Sequence, residues 1–396
     1  MKSVALFTDE IDDLDIAIDE LVSQFGDFKL EAHSAGLLFA HSDTDLEELA
    51  GRLQEEFGVP IVGTTAVAMF NMEGFKNEGI SLHIFTSGDC VFHTGCTNEL
   101  TAANARAEIT ALYNNLTAGV DDEDVKLVLA YGNPTLDMMG EDFVDTLDEL
   151  CHGVPVYGGL ASDSFVMDEC RIVCGKRVMN HALALMVITG KVQKVIQYGF
   201  NVESTLDYEG VVTEVQGNMV MKLDDMPLAE ALDKAGFSIN PEVNVCDYVN
   251  TPFRIRYRTE EGGEMELMRQ LAFVDKETGG GLFLGKVPLG ANVQIGIISK
   301  EDIHDSVEEV AIRALAEVKK RHDYDFSTLI ITSCASRLMS YANDIELEAQ
   351  GYVHMIPEGM SMSGFYSFGE ICPSRAAGGS REKNTFHNTT FTMLVM

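Results

Sequence analysis

Apolar residues recur along the chain every three to four positions, which is the spacing of amphipathic helices. One such stripe runs through residues 11–25, and the longest lies at 303–318. A further helix is predicted at 46–57, where Thr44 and Glu47 form a capping box. In each case the opposite face is strongly acidic. We therefore expect these helices to cover β-sheets from outside, with the charged face in water.

A weak internal repeat divides the chain into three copies. Each copy predicts a helix, a strand, a second helix and a second strand, followed by a turn-rich loop and a last strand. The predicted strands are 37–40, 59–63 and 80–85 in the first copy, 127–130, 154–159 and 182–188 in the second, and 329–332, 362–370 and 390–395 in the third.

Between the second and third copies the pattern changes. Pro227 and Gly236 bracket a short predicted helix, and an antiparallel meander is predicted from strands at 253–257, 264–273, 282–287 and 293–298. The fold class is thus α/β to α+β, with mixed β-sheets covered by amphipathic helices. The change of pattern predicts two domains, residues 1–225 and 226–396. Because no low-complexity linker separates them, we expect the two domains to pack tightly.

The charge balance excludes several classes of partner. Among 396 residues, 63 are acidic and 28 basic, so the formal net charge is -35. Such a surface repels phosphate backbones and anionic headgroups, so we expect neither nucleic acid nor membrane as a partner. The N-terminus does not resemble a secretory signal, and the eight cysteines form no regular framework. These features predict a cytoplasmic protein with reduced thiols.

Familiar cofactor and metal motifs are missing from the sequence. Residues 281–286 resemble a phosphate loop, but the spacing is short and Val287 stands where Ser or Thr would bind magnesium. None of the ten histidines forms a His-x-x-x-His pair, and Cys170 with Cys174 has no second half. No cofactor and no metal are therefore predicted.

Polar residues cluster in the third copy, and they carry a family resemblance. Ser-Cys-x-x-Arg at 333–337 follows an apolar strand, Gly-Phe-Tyr-x-x-Gly-Glu-Ile occupies 364–371, and His-Asn-x-Thr at 387–390 precedes the last strand. This combination resembles the C-terminal domain of the FIST family. Residues 154–163 are similar to the Gly-Gly-x-Ala-x-Asp stretch of its N-terminal domain, whereas 63–67 depart from the family's usual Gly-Cys-Ser-Thr-x-Gly.

The resemblance implies a sensory module of signal transduction that binds small ligands such as amino acids. Relatives attach the module to a kinase, a cyclase, a chemoreceptor segment or an F-box. We expect this chain to act as a free-standing sensor that passes its signal to a separate partner protein.

The residues themselves suggest how such a ligand would be held. A free amino acid carries a carboxylate and an ammonium group, which Arg337 and Glu370 could bind. The predicted ligand-binding residues are Ser333, Cys334, Arg337, Tyr366, Glu370, His387 and Asn388. Basic residues also gather in the third copy and would attract a small anion, namely Arg337, Arg375, Arg381, Lys383 and His387.

Several alternatives stay open at this point. Arg337 and Glu370 could bond each other and hold loops together, and Tyr366 could belong to the core. Cys334 could act as a nucleophile with His387 as its base, which would make the protein a thiol-dependent enzyme. The acidic helix faces could instead recognise a basic protein, which would make it an interaction scaffold.

Overall fold

The computed structural model describes residues 1–133, 138–202, 204–237, 248–321, 324–341 and 343–396. Three repeated units are visible in the order of the elements. Unit one contains β1 (Lys2–Thr8), α1 (Leu14–Phe25), β2 (His33–His41), α2 (Leu46–Phe57), β3 (Ile61–Ala66), β4 (Met69–Asn71), β5 (Gly74–Lys76) and β6 (Ile80–Ser87). Unit two contains β7 (Cys90–Cys96), α3 (Ala105–Leu116), a 3-10 turn (Asp122–Asp124), β8 (Val125–Gly132), α4 (Gly140–Cys151), β9 (Val156–Leu160), β10 (Ile172–Cys174), β11 (Arg177–Met179) and β12 (Leu183–Gly190).

Unit three begins with β13 (Val195–Gly199) and is interrupted by an insertion. The insertion contains β14 (Ser204–Gln216), β15 (Met219–Leu223), β16 (Met226–Pro227), α5 (Leu228–Lys234), β17 (Phe253–Arg258), β18 (Glu264–Arg269), β19 (Leu271–Val274), β20 (Gly281–Phe283) and β21 (Asn292–Ile297). The unit then continues with α6 (Lys300–Lys320), β22 (Thr328–Cys334), α7 (Ala335–Ser340), α8 (Leu347–Gln350), a 3-10 turn (Val353–Met355), β23 (Ser361–Ser367), β24 (Glu370–Arg375), β25 (Glu382–His387) and β26 (Phe391–Val395).

The three units build three six-stranded sheets of the same design. Their strand orders are β1-β6-β2-β3-β10-β11, β7-β12-β8-β9-β24-β25 and β13-β26-β22-β23-β4-β5. The second and third strands of each unit pair in parallel, and the other pairs are antiparallel. The predicted fold class, with mixed sheets built from related units, is therefore confirmed.

Each unit contributes one β-hairpin to the sheet of another unit. Unit one donates β4–β5 to the sheet of unit three, unit two donates β10–β11 to unit one, and unit three donates β24–β25 to unit two. Each sheet therefore contains strands from two units, and no unit completes its own sheet. These hairpins occupy the segments that the sequence predicted only as turn-rich loops. The strands of the first two hairpins have three residues each and those of the third have six, and strands that pair with a distant unit give little local signal.

One glycine recurs at the same register in all three sheets. A Cβ atom built at Gly63, Gly158 or Gly364 would lie 2.1, 2.0 or 2.6 Å from a backbone carbonyl oxygen on the neighbouring parallel strand. Only glycine permits so close an approach. The residues opposite are Leu38, Ala130 and Ile331, respectively.

The inner faces of the three sheets share one aromatic core. Phe39 stacks on Phe365 with ring centroids 4.5 Å apart, and Tyr131 packs against both rings. The Tyr157 hydroxyl donates to the Ile330 carbonyl at 2.9 Å. The outer faces pack against α1 and α2 in unit one, α3 and α4 in unit two, and α6 with α8 in unit three. The helices thus cover the sheets from outside, as predicted.

Two local predictions were wrong in detail. Helix α2 is capped by Asp45, whose Oδ1 accepts from the Glu48 backbone N–H at 3.0 Å, and not by the predicted Thr44 and Glu47 box. The insertion is an eight-stranded sheet in which β21 lies between β17 and β14, while β20 pairs with β15 and β19. It is therefore not the predicted meander. None of the described helices is long and apolar enough to cross a membrane.

Candidate functional site

The predicted polar residues lie at the carboxyl end of β22, inside the protein. Ser333 and Cys334 end the strand, and Arg337 lies in α7, which follows at once. The Arg337 side chain has 0% exposure, and its Nε lies 2.5 Å from Oε1 of the equally buried Glu348. Its nearest carboxylate partner is therefore Glu348, whereas the sequence suggested Glu370.

Glu348 joins three of the predicted residues into one buried network. Its Oε2 accepts from the Ser333 hydroxyl at 2.9 Å and from the Tyr341 hydroxyl at 3.4 Å, and Tyr341 in turn bonds the Tyr366 hydroxyl. Sequence reasoning missed Glu348 because a single carboxylate in a predicted helix resembles any solvent-facing acid. A direct ligand contact by Ser333, Arg337 or Tyr366 stays a prediction.

Glu370 and Cys334 form a second buried group beside this network. The Glu370 carboxylate accepts from the Ser367 hydroxyl at 2.7 Å and from the Thr390 backbone N–H at 3.1 Å. Burial raises the pKa of Glu370 to about 8. Burial, and then the nearby Glu370, raise the pKa of the Cys334 thiol to about 12. Cys334 is therefore a neutral thiol at physiological pH.

His387 and Asn388 complete the predicted set. His387 lies opposite Glu370 in the β24–β25 pair and has 1% exposure. Burial, and then the charge of Arg269, lower the pKa of His387 to about 3. Neither ring nitrogen of His387, nor Oδ1 of Asn388, has a hydrogen-bond partner among the described residues. Buried polar atoms are normally satisfied, so these atoms mark a place where a water or a small polar group could bond.

An apolar cavity of about 440 Å³ is lined by none of the predicted ligand-binding residues. Phe368 and Phe386 form one of its walls. The described residues that line it are Met138, Met139, Gly140, Leu160, Val166, Met167, Asp168, Leu284, Phe368 and Phe386. The volume lies within the range of about 300–1,000 Å³ that is usual for small-ligand pockets. We refer to this space as the apolar cavity.

Asp163 shapes the loop that forms another wall of the apolar cavity. The buried Asp163 carboxylate accepts four backbone N–H groups, from residues 166 to 169, each at 2.9 Å. Within this loop Phe165 and Met167 adopt left-handed φ angles of 64° and 61°, which are unfavourable for such bulky residues. The Asp163 hydrogen bonds hold this strained loop and present Val166, Met167 and Asp168 to the cavity.

A buried ion pair ties three walls of the apolar cavity together. Arg269 in β18 has 2% side-chain exposure, and its Nη2 donates to Glu141 Oε1 of α4 at 2.7 Å. The same guanidinium donates to the carbonyls of Lys286 at 3.1 Å and Phe386 at 3.3 Å. Burial raises the pKa of Glu141 more than Arg269 lowers it. Sequence reasoning missed this pair, whose members are 128 positions apart.

Among the described residues, one cluster of side chains has the spacing to hold a cation. His304, Asp305 and Glu308 on α6 bring potential ligand atoms within 4.8 Å of one another, and Asp305 is exposed. Exposed acids often gather without a metal, so this group defines no metal centre.

Comparisons with known proteins agree with the arrangement of the chain. The family sequence model described as "FIST N domain" matches residues 34–226, and that described as "FIST C domain" matches residues 229–373. No curated protein gives a match. A solved structure described as "Cyanuric acid hydrolase: evolutionary innovation by structural concatenation" is similar over 99% of this chain and 98% of that chain, with 8% identity and a TM-score of 0.36. That likeness is too distant to bear on function.

Proposed function

The chain belongs to the FIST family, whose domains are sensory modules of signal transduction that bind small ligands, and from this premise we propose that the apolar cavity holds the ligand. The cavity is the observation that carries the proposal. Its lining from Met138 to Asp168 comes from the part matched by the N domain, and Leu284 and Phe368 come from the part matched by the C domain. A ligand there would contact both.

The lining suggests the chemical class of the ligand. Most of the wall is methionine, leucine and phenylalanine, so an apolar body of a few carbon atoms would be accommodated. Among the described lining residues Asp168 is the charged one, and its carboxylate forms no ion pair with any described residue. We propose an apolar amino acid or a similar small amine, with its ammonium group directed to Asp168.

The Arg269–Glu141 pair supplies a route by which binding could be reported. Gly140, Leu284 and Phe386 line the apolar cavity. Gly140 precedes Glu141, Leu284 lies two residues before Lys286, and the Phe386 carbonyl itself accepts a hydrogen bond from Arg269. A ligand that orders these three walls would stiffen the junction between α4, the insertion and β25. We propose that a separate signalling protein in the cytoplasm recognises this change.

A ligand screen followed by matched variants tests the proposal. Thermal unfolding in the presence of amino acids, small amines and small carboxylates should show a raised midpoint for at least one apolar amino acid or amine. Leu284→Trp should fill the apolar cavity and abolish that shift. Leu289→Trp makes the same change at a side chain with 64% exposure outside the cavity, and should preserve it.

Asp168 provides the second arm of the experiment. Asp168→Asn should weaken binding of the amine by about tenfold, whereas Glu169→Gln, at the next and also exposed position, should not. If no compound shifts the midpoint, or if Leu284→Trp binds as the unaltered protein does, the apolar cavity is not the ligand site.

A thiol-dependent enzyme is not what we propose. A cysteine nucleophile needs a thiolate and a nearby base. In this structure burial raises the pKa of Cys334 and lowers that of His387, so Cys334 keeps its proton at neutral pH and His387 is a poor base.

A further inference from the structure

A second, chemically different groove lies on the other side of the β24–β25 hairpin. It has a volume of about 1030 Å³. Lys126 at the start of β8, Lys191 and Lys194 in the β12–β13 connection, Arg321 after α6 and Arg375 at the end of β24 all line it. We refer to these five residues and the space between them as the basic groove.

The basic groove has an excess of positive charge. Its described lining includes two carboxylates, Glu317 and Glu382. Glu317 already pairs with Lys320 at 3.2 Å and with Arg321 at 3.3 Å, and Glu382 pairs with Arg375 at 3.2 Å. Both acids are therefore occupied by cations.

Three lysines in the basic groove have no carboxylate partner. Lys126, Lys191 and Lys194 form no ion pair within the part of the chain that the structure describes, and Lys126 Nζ donates instead to the backbone carbonyl of Glu123. Lys194 is half-buried, and burial followed by the charges of Lys126 and Arg321 lowers its pKa. Like charges held together repel one another unless an anion lies between them.

Single lysines without an ion pair occur elsewhere in the described part of the chain, for example Lys29 and Lys319. Among the basic residues that the sequence grouped in the third copy, Arg381 pairs with Asp148 and Lys383 with Asp145. The basic groove differs from both cases because three lysines without an ion pair line one space.

We propose that the basic groove binds a small, free anion with two or more negative charges, of the kind carried by phosphorylated metabolites. Two or three ammonium groups and the Arg321 guanidinium would surround its phosphate oxygens. The Tyr198 ring, which also lines the groove, offers an apolar surface for the rest of the molecule. The surrounding negative field would repel large polyanions and leave the groove accessible to small ones.

Calorimetric titration with inorganic pyrophosphate at low salt tests this inference. We expect saturable binding with one pyrophosphate per chain, weakened by high salt. Lys191→Met and Lys194→Met should each reduce the affinity by about tenfold. Lys29→Met removes the same charge from an exposed loop far from these residues in the sequence, and it should change the affinity less than twofold.

Each other outcome contradicts the inference. Absence of saturable binding would show that the basic groove does not hold pyrophosphate. An equal loss of affinity in Lys29→Met would show that only the overall charge matters. Unfolding curves of the Lys194→Met variant should match those of the unaltered protein, so lost binding cannot be ascribed to lost folding. None of the described residues lines both the basic groove and the apolar cavity, so pyrophosphate binding can fail or succeed independently of the proposed amine ligand.

Discussion

Replacing Arg337 by methionine distinguishes a structural role of this residue from the ligand role that the sequence suggested. Methionine keeps much of the length of the apolar stem and removes the guanidinium. In the folded protein that change leaves the Glu348 carboxylate without its 2.5 Å partner, at a position with 0% exposure. It also leaves the Ser306 hydroxyl without a bond of 2.9 Å.

The expected loss of stability follows from this geometry. Removing one partner of a buried ion pair costs about 3–5 kcal/mol, because the other charge stays buried and uncompensated. The Ser333 and Tyr341 hydroxyls still donate to Glu348, which offsets part of this cost. We therefore expect the free energy of unfolding to fall by about 3 kcal/mol in Arg337→Met.

Urea denaturation followed by circular dichroism and tyrosine fluorescence provides the measurement, since the chain has 11 Tyr and no Trp. The double variant Arg337→Met with Glu348→Leu should recover part of the loss, because both charges are then gone. Arg106→Met breaks an ion pair whose side chains are 69% and 57% exposed. This control should leave the unfolding midpoint unchanged.

Two results would refute the structural interpretation of Arg337. One is an unfolding midpoint for Arg337→Met equal to that of the Arg106→Met control. The other is a double variant that is no more stable than Arg337→Met alone. If the midpoint is unchanged while binding of the amine ligand is lost, Arg337 contacts the ligand as the sequence predicted.

Three further predictions concern titration, thiol reactivity and backbone approach. Burial raises the pKa of Glu370 from 4.5 to about 8, so between these pH values the folded state keeps a proton that the unfolded state releases. The Glu370 contribution to the free energy of unfolding, about 5 kcal/mol at most, is therefore lost as pH rises from 4.5 to about 8. Glu370→Gln should flatten this part of the plot of stability against pH, and an unchanged slope would contradict the assignment. A thiol probe should label Cys96 faster than Cys334, because the Cys174 thiol lowers the pKa of Cys96 to about 7; faster labelling of Cys334, or a rate at Cys96 unaffected by Cys174→Ser, would be contrary. Gly158→Ala should prevent folding or lower the unfolding midpoint sharply, since its Cβ would lie 2.0 Å from a carbonyl oxygen. Gly119→Ala is the control, because no atom lies within 4 Å of its Cβ and its φ is 79°, so it should lose only the stability that alanine loses in a left-handed conformation. Equal unfolding midpoints for the two variants would argue against the close approach at Gly158.

Local patterns in the sequence predicted a large part of the fold. The apolar stripes at 11–25 and 46–57 correspond to α1 and α2, and the repeated strands correspond to strands of the three sheets. The cap of α2 was placed one residue early, because Thr44 and Asp45 are both good capping residues and only the backbone geometry selects Asp45. The first strand of each unit, which lies at a sheet edge, was missed. The exchanged hairpins were missed as well, since four of their six strands have only three residues and each hairpin pairs with another unit.

The candidate site was less accessible to sequence reasoning. The motifs at 333–337, 364–371 and 387–390 drew attention to the third copy. The structure brings them together where the third sheet meets the β24–β25 hairpin, which belongs to the sheet of unit two. The partner of Arg337 and the lining of the apolar cavity come from other parts of the chain. Arg269 and the exchanged β24–β25 hairpin bring Leu284 and Phe386 together with Gly140. No local pattern in the sequence predicts these long-range contacts.

The sequence by itself determined where most helices and the central strands form and that they repeat three times. These features depend on side-chain periodicity within a few residues. Only the tertiary structure decided which carboxylate neutralises Arg337, which hairpin completes each sheet, and that Lys126, Lys191 and Lys194 share one groove. Those choices depend on distances between segments far apart in the chain. The free energy of a buried charge depends on what lies within a few ångströms of it, and folding alone sets those neighbours.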